Sequence, residues 1–229
     1  MIREPFVSGD YYHVYNRGVD KRKVFLDYYD FERFYESMYL FNDENFVHPG
    51  GRFVDREFLL AGHEILSFGR KPFVSILAFC LNDNHFHLLL QQILPDGISK
   101  FLHRLGMGYA NYFNLKHGRK GRLWENSFKA KPIDFEEHLQ LLPRYIHLNV
   151  LDRTSIDWRN NNEFDWTVAE KVLNNYPWSS HGVYIGRSPR LPVVDREAVQ
   201  YWFSTPEVYL QYLKASRIFG EEELTFSRL

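Results

Sequence analysis

Tyr11 to Tyr15 alternates aromatic or aliphatic residues with His13 and ends at Asn16-Arg17-Gly18, which predicts a strand running into a turn. Asp27 can cap a helix in which Phe31, Phe34, Met38 and Phe41 recur at helical spacing. Residues 44–72, with Pro49-Gly50-Gly51 and Gly69-Arg70-Lys71-Pro72, break both periods and read as an insertion or long connection. Phe73 to Leu81 is rich in Val, Ile, Leu and Phe, the composition of a buried strand. Asn82-Asp83-Asn84 is a turn, and His85 to Gln92 returns as the second arm of a hairpin. Pro95-Asp96-Gly97 opens a helix with the stripe Ile98, Leu102, Leu105, Tyr109 and Tyr112, which Gly118 can end. A short strand is predicted near Phe128 to Ile133. Asp134 and Glu137 then form a capping-box pattern for a helix reaching Asn149. Residues 152–175 read as irregular, and small helices are predicted from Pro192 onward.

The order strand, helix, strand, strand, helix, strand, helix predicts an α+β architecture, an antiparallel sheet with helices packed on a face. Aromatics at 17% are high: they can fill a core, and they also supply flat faces on which unpaired bases could stack. Cys80 is the only cysteine, so neither an internal disulfide nor a thiolate metal site is expected. Neither a signal-peptide pattern at Met1–Pro5 nor an apolar run of membrane-spanning length is found, so the expected setting is a cytoplasm, without membrane.

The formal net charge is −1, which excludes a surface that is basic all over, and attention turns to where the cations cluster. Lys100, Arg104, Lys116, Arg119, Lys120, Arg122, Lys129 and Lys131 lie between Ser99 and Pro132, opposed only by Glu125. Arg17, Lys21, Arg22 and Lys23 form a second group. These twelve are candidate contacts to a nucleic-acid backbone, although solvated faces carry such clusters too.

Asn84-His85-Phe86-His87 is the sharpest local signal. On a strand, residues two apart project to one side, so His85 and His87 form half of a metal site. The same pair occurs in metal-dependent amidohydrolases and in phosphodiesterases that use no metal. The second signal is Arg144-Tyr145-Ile146-His147-Leu148-Asn149. On a helix whose apolar stripe is Phe135, Leu139, Leu142 and Ile146, Asn149 falls about 20° and Tyr145 about 60° from Leu142. Both sit on or beside the buried side, where the amide needs a partner such as a metal, unless it simply caps the helix. Among the other tyrosines, Tyr109 and Tyr112 have Phe113 and Lys116 four residues on, and Tyr12 and Asn16 would lie ~13 Å apart on a strand. Only Tyr145 combines a helix with an amide one turn away.

Asn-His-Phe-His-Leu-Leu-Leu after an apolar strand, Tyr-Ile-His-Leu-Asn about sixty residues later, and Tyr176-Pro177-Trp178-Ser179-Ser180 resemble the single-tyrosine HUH transposases, most closely the REP-associated tyrosine transposases. Tyr12 to Gly18 and Gly121-Arg122-Leu123-Trp124 support the resemblance, which spans residues 11 to about 185. It implies a ferredoxin-like sheet carrying the histidines, Tyr145 as nucleophile, and His85, His87 and Asn149 as ligands of Mg²⁺ or Mn²⁺. It further implies a DNA hairpin with adjoining single strand as partner, a monomer rather than a dimer, and a 5′-phosphotyrosine intermediate. On this reading residues 1–185 form the transposase domain and 186–229 a helical C-terminal extension. Two departures from the family pattern are Val150, where Pro is usual, and Pro143, which removes a helical hydrogen bond two residues before the tyrosine. The alternative function is a domesticated, non-catalytic binder of structured DNA or RNA. A water-activating metal hydrolase fits less well, since Glu64 and Glu125 have no evident place beside the histidines.

Overall fold

Alternating side chains let one sheet serve two different layers, and the fold is built on that division. The computed structural model describes residues 4–46, 69–134, 136–159 and 164–214. Four strands, β1 (Tyr11–Arg17), β2 (Val74–Asn82), β3 (His85–Gln92) and β4 (Lys129–Pro132), form one sheet in the order β2-β3-β1-β4. Every neighbouring pair is antiparallel. With helices α1 (Tyr28–Phe41) and α2 (Gly97–Lys116) as crossovers, this is the split βαβ arrangement of a ferredoxin-like α+β fold.

The apolar positions of β3 face α1 and α2. Phe34 meets Phe86 at 5.1 Å between ring centroids, and Tyr109 at 5.0 Å. Asp27 caps α1 by accepting from the Asp30 amide, which leaves Phe31, Phe34 and Met38 on the buried side. The two helices approach closely at Gly108, where a Cβ would come within 2.7 Å of the Phe41 ring.

The opposite face of the sheet, which carries the even-spaced polar residues, is also covered. Helix α3 (Glu136–Leu148) lies there, followed by a 3₁₀ turn (Asn149–Arg153) and the helices α4 (Trp166–Asn175), α5 (His181–Tyr184), α6 (Arg196–Trp202) and α7 (Pro206–Lys214). Helices therefore pack on both faces rather than one. Pro143 sits inside α3 without ending it, and Leu139, Leu142 and Ile146 are buried as the periodicity predicts.

Two local readings change. Residues 152–175 are not wholly irregular, because Asp165 caps α4 by accepting from the Thr167 and Val168 amides. Only Ala169 and Leu173 of α4 are buried, too narrow a stripe for the pattern to announce. β1 continues through Arg17, with Gly18 donating its amide to the Asn84 carbonyl, so the predicted turn begins two residues later. The capping box at Asp134 and Glu137, and most of the 44–72 insertion including Glu64, lie outside the described residues and side chains. Among the described residues no helix is long and apolar enough to cross a membrane.

A buried polar chain fastens the C-terminal helices to α3. Tyr209 Oη bridges His147 Nδ1 at 2.8 Å and His181 Nδ1 at 2.7 Å, and His147 Nε2 meets Ser180 Oγ at 2.6 Å. Ser180 Oγ in turn accepts from the Phe79 amide of β2 at 2.9 Å. Tyr209→Phe strands two imidazole nitrogens and is expected to cost about 1–3 kcal/mol. At about 2–4 °C per kcal/mol for a chain of this size, thermal melts should show a drop of several degrees, and an unchanged Tm would contradict the network's role.

Candidate active site on the histidine face

β1, β2, β3 and β4 contribute to one polar strip. Cross-strand register sets His87 between Tyr15 and Cys80, and His85 between Arg17 and Asn82, while His13 lies opposite Lys131. Partners directly across a ladder share a face, so these side chains point together. The His85 and His87 rings are 5.1 Å apart at their centroids. Tyr145 comes down on the same side from α3, with its ring edge-on to His87 at 5.6 Å and to His13 at 5.8 Å. Trp158 flanks the phenol at 5.8 Å, leaving Tyr145 8% exposed.

A hydrogen bond to an oxygen decides which nitrogen of the His85 imidazole is available. His85 Nδ1 lies 2.6 Å from Asn84 Oδ1, an oxygen that only accepts, so Nδ1 carries the proton and Nε2 a lone pair. Asn82 Nδ2 approaches that Nε2 at 3.2 Å. His87 Nδ1 and His13 Nε2 share a hydrogen bond of 2.9 Å, while His87 Nε2 is buried with no hydrogen-bond partner among the described residues. With His87 Nδ1 as donor to His13, its Nε2 also presents a lone pair. Asn149 begins the 3₁₀ turn, buried beside His85; its Nδ2 donates to the Tyr145 carbonyl at 2.6 Å, so it also closes the end of α3. Its Oδ1 accepts from Arg159 Nη2 at 2.8 Å. Asn82 Nδ2 donates to the Asn149 carbonyl at 3.0 Å, tying β2 to the turn.

A divalent ion fits this donor set, two neutral imidazole nitrogens and a carboxamide oxygen, with one of the nitrogens left buried and unpartnered. Among the described residues no group of three or more His, Cys, Asp or Glu side chains could hold a metal ion, so Asn149 and substrate or water oxygens would have to complete the shell. The imidazoles are suited to it because burial keeps them neutral. Burial lowers His13 to about 3, with Lys131 adding to the effect, and burial and then Arg17 lower His85 to about 4. His87 is held well below its ordinary value by burial, then by His13 and His85.

The cations predicted for DNA divide by location. Arg17, Lys129 and Lys131 stand on the histidine face through β1 and β4. Lys21 and Lys23 line a cleft with Asn82, Asn84, His85 and Arg153 that opens beside the imidazoles. Lys23 pairs there with Asp83 at 2.9 Å, and Arg22 with Asp20 at 2.8 Å. Lys100, Arg104 and Lys116 belong to α2 on the other face: Lys116 lies between Asp27 and Asp30 at 2.7 Å from each, and Arg104 donates to the Asp43 carbonyl at 2.8 Å. Arg119 donates to Asn114 Oδ1 and Arg122 to the Glu125 carbonyl, in the loop after α2 that also holds Lys120. Sequence reasoning did not single out His13, Asn82, Asp152, Trp158 or Arg159. Only His13 carried a signal, as the polar member of an otherwise apolar strand.

The family described as Transposase IS200 like matches residues 63–149. The matched stretch is similar to the IS200-like transposases. It contains His85, His87, Tyr145 and Asn149, while His13 and Arg159 fall outside it. A solved structure of a REP-associated tyrosine transposase bound to a REP hairpin shares the fold, with a TM-score of 0.51 and 13% identity over 84% of this chain and 88% of that one. No curated protein matches the sequence. The Tyr176-Pro177-Trp178-Ser179-Ser180 motif serves as a brace on β2: Tyr176 Oη donates to the Leu81 carbonyl and Trp178 stacks on Phe31.

The buried imidazoles imply a pH dependence. His181 is lowered to about 4, chiefly by burial, and His147 well below its usual value for the same reason. With His13 and His85 they stay neutral in the folded protein at a pH where the unfolded chain, near 6.5, is already protonated. Stability is whole above about pH 6.5 and is lost as pH falls toward the folded values, at about 1.4 kcal/mol per pH unit for each such imidazole. Melting of chelator-treated protein should show Tm nearly constant from pH 7.5 to about 6.5 and falling steeply toward pH 5; a flat profile would contradict the assignment.

Proposed function

We propose that this chain cuts and rejoins one strand of DNA beside a hairpin, with Tyr145 as nucleophile and His85, His87 and Asn149 as ligands of Mg²⁺ or Mn²⁺. The observation that carries the reading is the approach of the Tyr145 ring to His87 at 5.6 Å, on the face of the sheet that also buries Asn149. The hairpin enters by analogy with the REP-associated tyrosine transposase, which is bound to one.

Attack of the Tyr145 oxygen on phosphorus forms the phosphotyrosine bond and breaks the P–O3′ bond. The phenolic proton is given up to solvent, and the departing 3′ oxygen takes up a proton, leaving a 5′-phosphotyrosine and a free 3′-OH. The energy of the phosphodiester is retained in the new ester, so the reverse reaction rejoins the strand without a nucleotide cofactor. When bound, the ion polarises a phosphoryl oxygen and offsets the charge that develops there. Asn84 and His13 hold the two imidazoles in the tautomers that leave Nε2 outward. His13, His87 and Trp158 enclose the phenol ring and fix its direction of approach. Lys21, Lys23 and Arg153 in the neighbouring cleft, with Arg17, Lys129 and Lys131, are suited to the strand's phosphates. On this reading residues 1–185 carry the chemistry, 186–229 extend it, and the chain acts as a monomer.

One observation favours the rival reading of a non-catalytic binder: the Asn149 carboxamide is already engaged at both ends, by Arg159 and by the Tyr145 carbonyl. A gel shift with a hairpin carrying a single-stranded arm, run beside a denaturing gel, separates the two. The catalytic reading expects a covalent adduct from the wild type that Tyr145→Phe and excess EDTA both abolish, with hairpin affinity retained. Binding without any adduct, in Mg²⁺ or Mn²⁺, would establish the binder instead.

A further inference from the structure

Arg159 reaches the site from beyond the residues that match the family, and it makes the contacts a bound cation would make. Its Nη2 donates to Asn149 Oδ1 at 2.8 Å, and its Nη1 lies 3.4 Å from Tyr145 Oη. The guanidinium is also over the Tyr145 ring at 5.4 Å and the Trp158 ring at 4.3 Å. Asp152 anchors it through two atoms, Nη2 to Oδ2 at 2.6 Å and Nε to Oδ1 at 3.3 Å. The Trp158 indole donates to the same carboxylate at 2.7 Å, which fixes the anchor itself.

We infer that Arg159 is the resident cation of the Tyr145 pocket and competes with the divalent ion for the Asn149 carboxamide, so that entry of the ion transfers the guanidinium from Asn149 to the substrate phosphate. The inference rests on the metal-site reading above. Asn149 Nδ2 is committed to the Tyr145 carbonyl, so Oδ1 is the carboxamide's atom for either cation. A divalent ion and a guanidinium on one oxygen repel each other strongly in a half-buried pocket. Release from Asn149 does not release Arg159 from Asp152, so rotation of the side chain suffices and the charge stays beside the phenol. A planar fork held there matches the non-bridging oxygens of a phosphodiester better than a lysine ammonium would. The coupling also ties the two partners together: DNA phosphate that accepts the guanidinium favours ion binding, and the ion favours phosphate binding.

Mn²⁺ binding to the full chain, followed by the loss of the free-ion EPR signal, tests this without reference to cleavage. Arg159→Gln, which removes the competing charge, is expected to bind Mn²⁺ about tenfold more tightly than wild type, and Arg159→Lys to stay near wild type. In chelator, Arg159→Gln is expected to lose severalfold affinity for a single-stranded oligonucleotide. Should the Gln variant fail to fold, Arg159→Met, which keeps the stem over Trp158, is expected to show the same tightening. Equal or weaker Mn²⁺ binding by the uncharged variant overturns the competition while leaving the metal site standing. No Mn²⁺ uptake by any of these proteins, with His85→Ala indistinguishable from them, overturns the metal-site reading and the inference together.

Discussion

Alternation along β3 is the constraint on which the rest of the molecule depends. Phe86, Leu88 and Leu90 turn toward α1 and α2, while His85 and His87 turn toward α3. Because the side-chain period is two, a slip of one residue in the β1–β3 register would put imidazoles into the aromatic layer and phenyl rings against Tyr145. The large apolar surface on one side therefore holds the polar site on the other in place. The site inherits the rigidity of a packed sheet rather than that of a loop.

Burial then imposes a second condition, that each polar group find a partner. Most of the site meets it internally: Asn84 and Asn82 attend to His85, His13 to His87, and Arg159 and the Tyr145 carbonyl to Asn149. Among the described residues His87 Nε2 and Asn82 Oδ1 do not, and a buried unpartnered nitrogen bordered by another imidazole and a phenol is suited to a cation. The same logic explains the Tyr209 bridge, where two further histidines of the covered face are satisfied by one hydroxyl. A sheet with helices on both sides leaves little water to do that work.

The elements with strong periodicity are legible in the sequence. α1, α2, β2 and β3 all bury wide apolar stripes, and the pairing of His85 with His87 followed from strand geometry alone. α4 was not legible, because a helix that buries only Ala169 and Leu173 looks polar. The covering of the second face was missed for a related reason: the sheet's polar side reads as solvent-facing unless the partner helix is already placed there. For the site, the helix offset put Tyr145 beside Asn149, but His13 and Arg159 are long-range partners whose roles depend on cross-strand register and on a loop. The basic residues of α2 show the limit of charge counting, since Lys116 is held by Asp27 and Asp30 on the far face from the histidines.

The central claim is that one cation is shared by two strand imidazoles and a carboxamide within reach of a helix phenol. A crystal structure of the protein with Mn²⁺, using the anomalous signal to locate the ion, addresses it most directly. A peak bonded to Nε2 of His85, Nε2 of His87 and Oδ1 of Asn149, with Arg159 withdrawn to Asp152 alone, is the expected result. Mn²⁺ bound elsewhere, with His87 Nε2 still unpartnered and Arg159 still on Asn149, would contradict the account.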